Sequence, residues 1–417
     1  MRKALWCALV LTAAVSVAAM ADWPQFLGPD RNGISAETGL TASWPEGGPK
    51  VLWSFPLGIG FAGPSVKDGK VFVLDRTKAP EQDVLRCLDL AAGTEDWNFA
   101  YDAPGQYSTP GSRSTPTVDD KHVFTIGPMG HIHCVSRETH KGLWSKHLLN
   151  DYGGKLPTWA ISQSPLLYKD WVIVAPLSGT VGIVALEKAT GKEVWKTPAM
   201  GDLSYASPFL TTIDGVDQVV MQTKGRIVAV DARTGERLWT YGAWKCAEPI
   251  PSPTPIGDGR FFATGAYGAG SAMFKVARDA EGKFSAETVW KNAKIGAQMH
   301  NAILHKGLIY LNGNTNEARD GLVCFDLDGK VKWQTQREPD FERGNLLLAD
   351  GKLFVAGGTS GMLHMVKPGP DGYNEMAKAK VFAARPMWSP MAIVDGKLLA
   401  RDNKELKCLL LKDQAGK

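Results

Sequence analysis

The feature that most constrains the fold is a short pattern that recurs along the chain at intervals of 43 to 51 residues. The tryptophans that recur at this spacing are Trp97, Trp144, Trp195, Trp239, Trp290 and Trp333, and all but Trp290 end a recognisable copy of the pattern. The cleanest copy, residues 229–239, reads Ala-Val-Asp-Ala-Arg-Thr-Gly-Glu-Arg-Leu-Trp. Repeats of this length are typical of propellers and solenoids.

Four further copies occupy residues 87–97, 134–144, 185–195 and 324–333; the second is degenerate and the last is one residue shorter. In each copy a small Ala or Cys ends one strand, and the Asp accepts hydrogen bonds from turn amides. The Gly supplies a positive φ, and the Trp opens the next strand. We expect a structural role, with burial between blades, for Trp97, Trp144, Trp195, Trp239 and Trp333.

Hairpins with Asp-Gly turns between apolar runs precede these copies, so each repeat unit contains four strands. The units number eight, but the last unit ends near Leu411 without a fourth strand. Residues 50–55 form an orphan strand that we expect to pair with residues 404–411 and close the ring. The sequence therefore predicts an all-β, eight-bladed propeller with four-stranded antiparallel blades over residues 50–411. The seventh copy has no tryptophan, and residues 380–382 are expected in its place.

The first 21 residues have the features of a signal peptide. Arg2 and Lys3 precede an apolar run, and Ala19-Met20-Ala21 forms a small-x-small cleavage site. The alternative is an uncleaved membrane anchor, although the run is short for a span. We expect an exported protein, periplasmic or extracellular, with an N-terminal extension over residues 22–49 and a C-terminal tail over residues 412–417.

Charge and cysteine content exclude some classes of function. The formal net charge is +4, and loss of Arg2 and Lys3 with the signal peptide leaves about +2, too little for a nucleic-acid footprint. Cysteines recur at the small position of the repeat, which favours buried free thiols over disulfides. These cysteines are Cys87, Cys134, Cys324 and Cys408.

The repeat resembles the PQQ-repeat propellers over about residues 50–411. That superfamily includes quinoprotein alcohol dehydrogenases and the propeller lipoprotein of the outer-membrane barrel-assembly machinery. The opening segment, residues 22–33, reads Asp-Trp-Pro-Gln-Phe-Leu-Gly-Pro-Asp-Arg-Asn-Gly and resembles the start of exported bacterial propellers. The resemblance implies the propeller fold, and it groups the chain with the non-enzymatic exported branch.

For the enzymes of this superfamily, the resemblance implies PQQ held between a Trp floor and a disulfide of adjacent cysteines, with a calcium ion and a catalytic Asp. This sequence has no adjacent cysteines, and no segment matches the calcium-and-base motif. No catalytic or metal-binding residue is therefore assigned, and PQQ stays a possible cofactor only.

The loops that enter the innermost strands of a propeller crowd around its central channel. Polar and aromatic residues in these loops suit a small-molecule or peptide site. The alternative is a polar channel mouth that simply faces water. The candidate ligand-binding residues are Arg113, Trp159, Gln163, Tyr205, His300, Asn301, Arg343 and Trp388. His131 and His133 lie on one face of a strand, where a solvated face is expected rather than a metal site.

Two functions fit this pattern. The first is a ligand- or protein-binding scaffold whose partner is a small anionic ligand or an exported protein. The second is a quinoprotein-like oxidoreductase that uses PQQ on an alcohol or a sugar. We expect a monomer that binds no nucleic acid and has no transmembrane segment in the mature chain.

Overall fold

A computed structural model describes residues 22–412 except Leu203 and Ala384. The predicted signal peptide lies outside these residues. The described chain forms 33 strands in eight sheets. Each sheet contains an antiparallel, four-stranded blade, and one sheet gains a fifth, parallel strand, β1; this confirms the predicted eight-bladed propeller. Among the described residues, no helix has the length and apolar character needed to cross a membrane.

Blades 1 to 4 follow one another along the chain, each with its innermost strand first. Their strands are β3 (Ser65–Lys67), β4 (Lys70–Arg76), β5 (Gln82–Asp89) and β6 (Glu95–Asp102); β7 (Thr117–Val118), β8 (His122–Ile126), β9 (His131–Ser136) and β10 (Gly142–His147); β11 (Leu166–Tyr168), β12 (Trp171–Val174), β13 (Val181–Glu187) and β14 (Glu193–Pro198); and β15 (Phe209–Ile213), β16 (Val216–Thr223), β17 (Arg226–Asp231) and β18 (Arg237–Tyr241).

Blades 5 to 8 continue the series, and two N-terminal strands join the last two blades. The strands are β19 (Thr254–Gly257), β20 (Arg260–Gly265), β21 (Gly270–Arg278) and β22 (Phe284–Asn292); β23 (Ile303–His305), β24 (Leu308–Asn314), β25 (Arg319–Asp326) and β26 (Val331–Gln334); β27 (Leu346–Ala349), β28 (Lys352–Ala356), β29 (Met362–Val366) and β30 (Glu375–Lys380), with β1 (Ile34–Ser35) beside β27; and β31 (Ala392–Val394), β32 (Lys397–Arg401) and β33 (Glu405–Leu410), with β2 (Val51–Pro56) as the outer strand.

Ring closure follows the prediction. Strand β2 pairs antiparallel with β33, and Trp53 lies opposite Cys408. The Trp53 indole is 8% exposed, and its Nε1 donates to the carbonyl oxygen of Leu90 in blade 1 at 2.9 Å. The first strand of the propeller therefore completes blade 8 and also contacts blade 1.

Adjacent blades meet where the glycine of one repeat copy faces the tryptophan of the previous blade. A Cβ added to Gly235 would lie 2.6 Å from the Trp195 ring, and one added to Gly191 would lie 2.6 Å from the Trp144 ring. Both glycines have φ near +70°, as the repeat predicts. The expected role of the Asp is also confirmed, because Asp231 Oδ1 accepts hydrogen bonds from two turn amides.

Burial of the repeat tryptophans is less uniform than expected. Trp195 and Trp239 are buried, at 9% and 4% exposure. Trp97, Trp144 and Trp333 also pack against the core between blades but are only partly buried, so the predicted burial is incomplete for these three.

The seventh blade places a different residue in the tryptophan position. Blade 4 pairs Ala229 with Trp239, and the equivalent pair in blade 7 is Met365 with Ala377. The expectation that residues 380–382 fill this position is therefore wrong. Sequence spacing alone did not reveal the register, because the loop before β30 differs in length from the other copies.

The cysteines are free, as expected. Cys87, Cys134, Cys324 and Cys408 are buried, and Cys246, which lies outside the repeat position, is also free and buried. Burial raises the pKa of the Cys134 thiol to about 12. The thiols therefore act as small apolar groups in the core.

Candidate functional site

A cavity of about 260 Å³ lies on the propeller axis, at the end where the chain enters the innermost strands. Every blade contributes a residue that lies just before its innermost strand. We call this cavity the cup, and its lining residues are Phe26, Phe61, Thr109, Arg113, Trp159, Ser162, Tyr205, Ser207, Ile250, Tyr267, Gln298, Met299, His300, Asn316, Arg343, Trp388 and Pro390. Its volume is just below the range of about 300–1,000 Å³ that is typical of small-molecule sites.

Six of the eight predicted site residues line the cup together: Arg113, Trp159, Tyr205, His300, Arg343 and Trp388. Gln163 and Asn301 do not. Gln163 is buried, and its amide pairs with the backbone N–H and carbonyl of Ala175. Asn301 Oδ1 accepts a hydrogen bond from the Ser252 amide. These two amides hold neighbouring loops in place.

Aromatic rings form two walls of the cup. On one side the rings of Trp159 and Tyr267 are nearly parallel, at 10° and 6.3 Å between centroids. On the other side Phe61 stacks on Trp388, with 5.4 Å between centroids. The Trp388 Nε1 is buried and has no hydrogen-bond partner among the described residues. Flat apolar walls suit a planar ligand.

Arg343 organises a hydrogen-bond network in the cup. Its Nε donates to Gln298 Oε1 at 2.7 Å, and its Nη2 donates to Asn316 Oδ1. These contacts orient both amides, whose nitrogens then donate to the Tyr267 hydroxyl at 3.1 and 3.2 Å. The hydroxyl accepts two hydrogen bonds and keeps its proton free to donate. Burial raises the pKa of Tyr267, so this proton is retained at neutral pH.

Tyr267 was not among the predicted residues, because it lies in the loop between β20 and β21 rather than before an innermost strand. Its φ of 54° places it in the left-handed region, which aromatic residues rarely adopt. The two amide hydrogen bonds and the ring contact with Trp159 hold it there. Only long-range contacts identify this residue, although Gly268 and Gly270 mark the tight turn that contains it.

Arg113 is the second guanidinium of the cup. It donates to the carbonyl oxygens of Gly111, Ser108 and Thr109, and it lies over the Phe61 ring. Within the described part of the chain, no carboxylate lies within 4.0 Å of Arg113 or Arg343, and no Asp or Glu lines the cup. The cup therefore contains two positive charges that are solvated only by neutral oxygens.

His300 lines the cup, but both of its ring nitrogens are engaged. Asn345 Nδ2 donates to His300 Nδ1 at 3.2 Å, so Nε2 holds the proton and donates to the Arg343 carbonyl at 3.1 Å. Burial lowers the pKa of His300 to about 4. The neutral ring thus positions the Arg343 loop, and no ring nitrogen is available to a ligand.

The floor of the cup comes from the N-terminal extension. Residues 22–35, which we call the plug, enter the channel from the opposite end, and Phe26 at their turn lines the cup. Arg31 lies beneath the Phe26 ring, 5.9 Å from its centroid, and is 8% exposed. It donates to the carbonyl oxygens of Pro165 and Ser164 in blade 3. Burial lowers the pKa of Arg31 to about 9, and no carboxylate from the described chain neutralises it.

A second polar cluster lies away from the cup, between blades 1 and 2. His131 and His133 are half-buried against the rings of Tyr101 and Phe99, so the expected solvated face is only partly present. The His133 Nε2 is buried without a partner, and burial lowers the pKa of His133 to about 4. No group of three or more His, Cys, Asp or Glu in the described residues is arranged to hold a metal ion.

Comparison with protein families identifies a match over most of the propeller. Residues 80–335 match the family model described as outer membrane protein assembly factor BamB. This range covers more than half of the chain and runs from blade 1 to just past blade 6.

Two curated enzymes are also similar in sequence. Quinohemoprotein alcohol dehydrogenase from Comamonas testosteroni is 26% identical over 274 residues, which are 60% of this chain and 36% of the enzyme. Polyvinylalcohol dehydrogenase from a Pseudomonas species is 23% identical over 393 residues, which are 80% of this chain and 54% of the enzyme. The chain thus spans about a third to about half the length of these relatives.

Solved structures share the fold. BamB from Moraxella catarrhalis aligns with a TM-score of 0.61 and 16% identity, covering 88% of this chain and 99% of that chain. The Comamonas testosteroni alcohol dehydrogenase aligns with a TM-score of 0.64 and 14% identity, covering 96% of this chain and 82% of that chain. At this identity the likeness establishes the propeller architecture alone.

Proposed function

The chain belongs to the family described as outer membrane protein assembly factor BamB, and from that premise we propose that it is an exported binding propeller whose cup holds a small, flat anionic ligand. The observation that supports this function is the pair of guanidiniums, Arg113 and Arg343, without a carboxylate partner between aromatic walls. An anion entering the cup gains charge-assisted hydrogen bonds where the protein offers only neutral oxygens.

The residues of the cup fit the binding of PQQ, a flat tricyclic quinone with three carboxylates. The Trp159 and Trp388 walls suit its ring system, and the two guanidiniums suit its carboxylates. Sugar acids and acidic peptide ends share the same anionic chemistry, and PQQ is the probe of choice because its shape matches both walls.

Oxidoreductase activity is the second candidate, favoured by the similarity to two dehydrogenases. Such chemistry needs a base that removes a proton from the alcohol. The described cup contains no carboxylate, and its one histidine has both nitrogens engaged. We therefore propose binding without turnover, and an assay of alcohol- and polyvinyl-alcohol-dependent dye reduction with PQQ and Ca²⁺ tests this. Turnover above the level without protein would favour the enzyme.

The binding function is tested by titrating the purified protein with PQQ in a calorimeter. Arg343→Met should weaken binding at least tenfold, since a hydrogen bond to a charged group contributes about 1.5–3 kcal/mol. The matched control is Arg278→Met, because Arg278 also stacks on an aromatic ring and donates to a carbonyl, but on the outer part of blade 5. An equal loss in both variants, or no binding by the wild type, contradicts the proposal.

We also propose a location outside the cytoplasm, which the predicted signal peptide and the family support. A protein partner is compatible with the same cup if it presents an acidic end. Competition between PQQ and an acidic C-terminal peptide, measured in the same calorimeter, separates a shared site from an outer binding surface.

A further inference from the structure

The plug is attached to five of the eight blades. Trp23 exchanges two backbone hydrogen bonds with Val66 of blade 1, and the Val118 amide of blade 2 donates to the Pro24 carbonyl. The Arg31 guanidinium donates hydrogen bonds to two backbone carbonyl oxygens of blade 3. Gly33 lies beside Ile303 of blade 6, and Ile34–Ser35 pairs with blade 7. A segment held at so many points is a fixed part of the channel rather than a loose end.

The turn at the tip of the plug has a geometry that its own residues define. Gly28 has a φ of 83°, and a Cβ there would lie 2.9 Å from the Trp23 ring. Leu27 and Arg31 also have positive φ values, which are unfavourable for residues with side chains. Backbone hydrogen bonds within the plug, from Gly28 to Gln25 and from Arg31 to Gly28, stabilise the turn together with the contacts to the blades. The turn presents Phe26 to the cup.

The plug also determines the direction of entry. Asp22 accepts a hydrogen bond from Asp68 in the turn between β3 and β4, at the end of the channel opposite the cup. Trp23, Leu27 and Arg31 are all buried in the channel between these ends. A ligand can therefore reach Phe26 only from the side of the cup.

We propose that Phe26 is the specificity-determining floor of the ligand site, and that the plug and a bound ligand stabilise each other. This inference rests on the proposed binding function. The cup would otherwise open into the channel, so its depth is determined by one side chain of the plug. Arg31 lies beneath that ring and adds a third positive charge that has no carboxylate partner among the described residues. An anion bound above the ring partly neutralises this charge, because the protein interior between them has a low dielectric constant.

The test uses the full exported chain with two probes of different size, PQQ and benzene-1,3,5-tricarboxylate. Phe26→Ala removes the flat floor and should weaken PQQ binding at least fivefold. Phe26→Trp keeps an aromatic floor but raises it, so the ratio of PQQ affinity to tricarboxylate affinity should fall at least fivefold. The matched controls are Phe55→Ala and Phe55→Trp, because Phe55 is also partly buried beside an arginine at 5.9 Å, on the outer strand of blade 8.

Hydrogen exchange of the wild-type protein supplies a second readout that needs no substitution. Addition of PQQ should slow amide exchange in residues 22–35 at least threefold and leave strand β2 unchanged. If PQQ binds but neither the selectivity of the Phe26 variants nor exchange in the plug changes, the inference is wrong and the binding function stands. If the wild type binds neither probe, both fail.

Discussion

Glycine and tryptophan meet at the blade boundaries, and each requires the other. The Trp195 indole occupies the space that a side chain at position 235 would need. A buried indole removes about 150–250 Å² of surface from water, so these contacts contribute strongly to the association of the blades. The glycine is needed both for its φ and for the close approach.

We expect Gly235→Ala to lower the free energy of unfolding by about 2–4 kcal/mol, from the strained φ together with overpacking against Trp195. The matched control is Gly215→Ala, since Gly215 has φ +75° but no atom within 4 Å of an added Cβ. That change should cost about 1 kcal/mol. Urea unfolding of both variants measures the difference, and equal losses would show that the indole contact is unimportant.

The buried thiols give a chemical prediction. Because burial raises the pKa of Cys87 and Cys408 to about 12, few thiolates form at neutral pH. In the chain that begins at Asp22, we expect no reaction of the five cysteines with a thiol reagent in the native state. All five should react in denaturant without reductant. A smaller number in denaturant would reveal a disulfide.

His133 makes stability depend on pH. Burial lowers its folded-state pKa to about 4, so below pH 6.5 the unfolded chain binds a proton that the folded chain does not. Stability from this group is therefore complete above pH 6.5 and falls as the pH drops toward 4. His133→Phe, which keeps a ring against Tyr101, should reduce the loss of unfolding free energy between pH 8 and pH 5 by about 2 kcal/mol. An unchanged loss would place the proton uptake elsewhere.

Strand β2 shows how one element joins two blades. It completes the sheet of blade 8, while Trp53 reaches the Leu90 carbonyl of blade 1. Closure removes the exposed sheet edges that an open array would have.

Removal of this contact should destabilise the ring. We expect Trp53→Ala to cost about 3–5 kcal/mol in denaturant unfolding, the range for deletion of a large core side chain. Val51→Ala on the same strand is the control; Val51 is 45% exposed and should change stability by less than about 0.5 kcal/mol. A loss below about 1 kcal/mol for Trp53→Ala would mean that β2 contributes little to closure.

Short-range chemistry made most elements predictable. Asp68-Gly69 has two positive φ values, as a tight hairpin turn between twisted strands requires, and Asp231 receives the turn amides of its own repeat copy. Blade 7 was mispredicted because Ala377 has no distinguishing side chain, so its register depends on the partner strand. Patterns that repeat locally can be recognised in sequence, whereas a register defined by pairing cannot.

At the scale of the whole molecule, the central position of six site residues was predictable because every innermost strand begins near the axis. Phe26, Arg31 and Tyr267 were missed for a common reason. Phe26 and Arg31 lie near the axis only because the plug folds back through the channel. Tyr267 lies in the loop between β20 and β21, the second and third strands of blade 5. No periodicity in the sequence encodes those placements. Gln163 and Asn301 lie in the predicted loops, but their amides are used within the protein.

The pairing of β2 with β33 also bears on how the chain folds. These strands lie near opposite ends of the propeller sequence, and blades 1 to 7 lie between them. Contacts between distant residues are slow to form, since a long loop must close before they contribute free energy. During synthesis from the N-terminus, strand β2 has no partner strand until residues 405–410 are available. The ring must therefore close late, and the chain remains incompletely folded, with strand β2 unpaired, until its last strand is available.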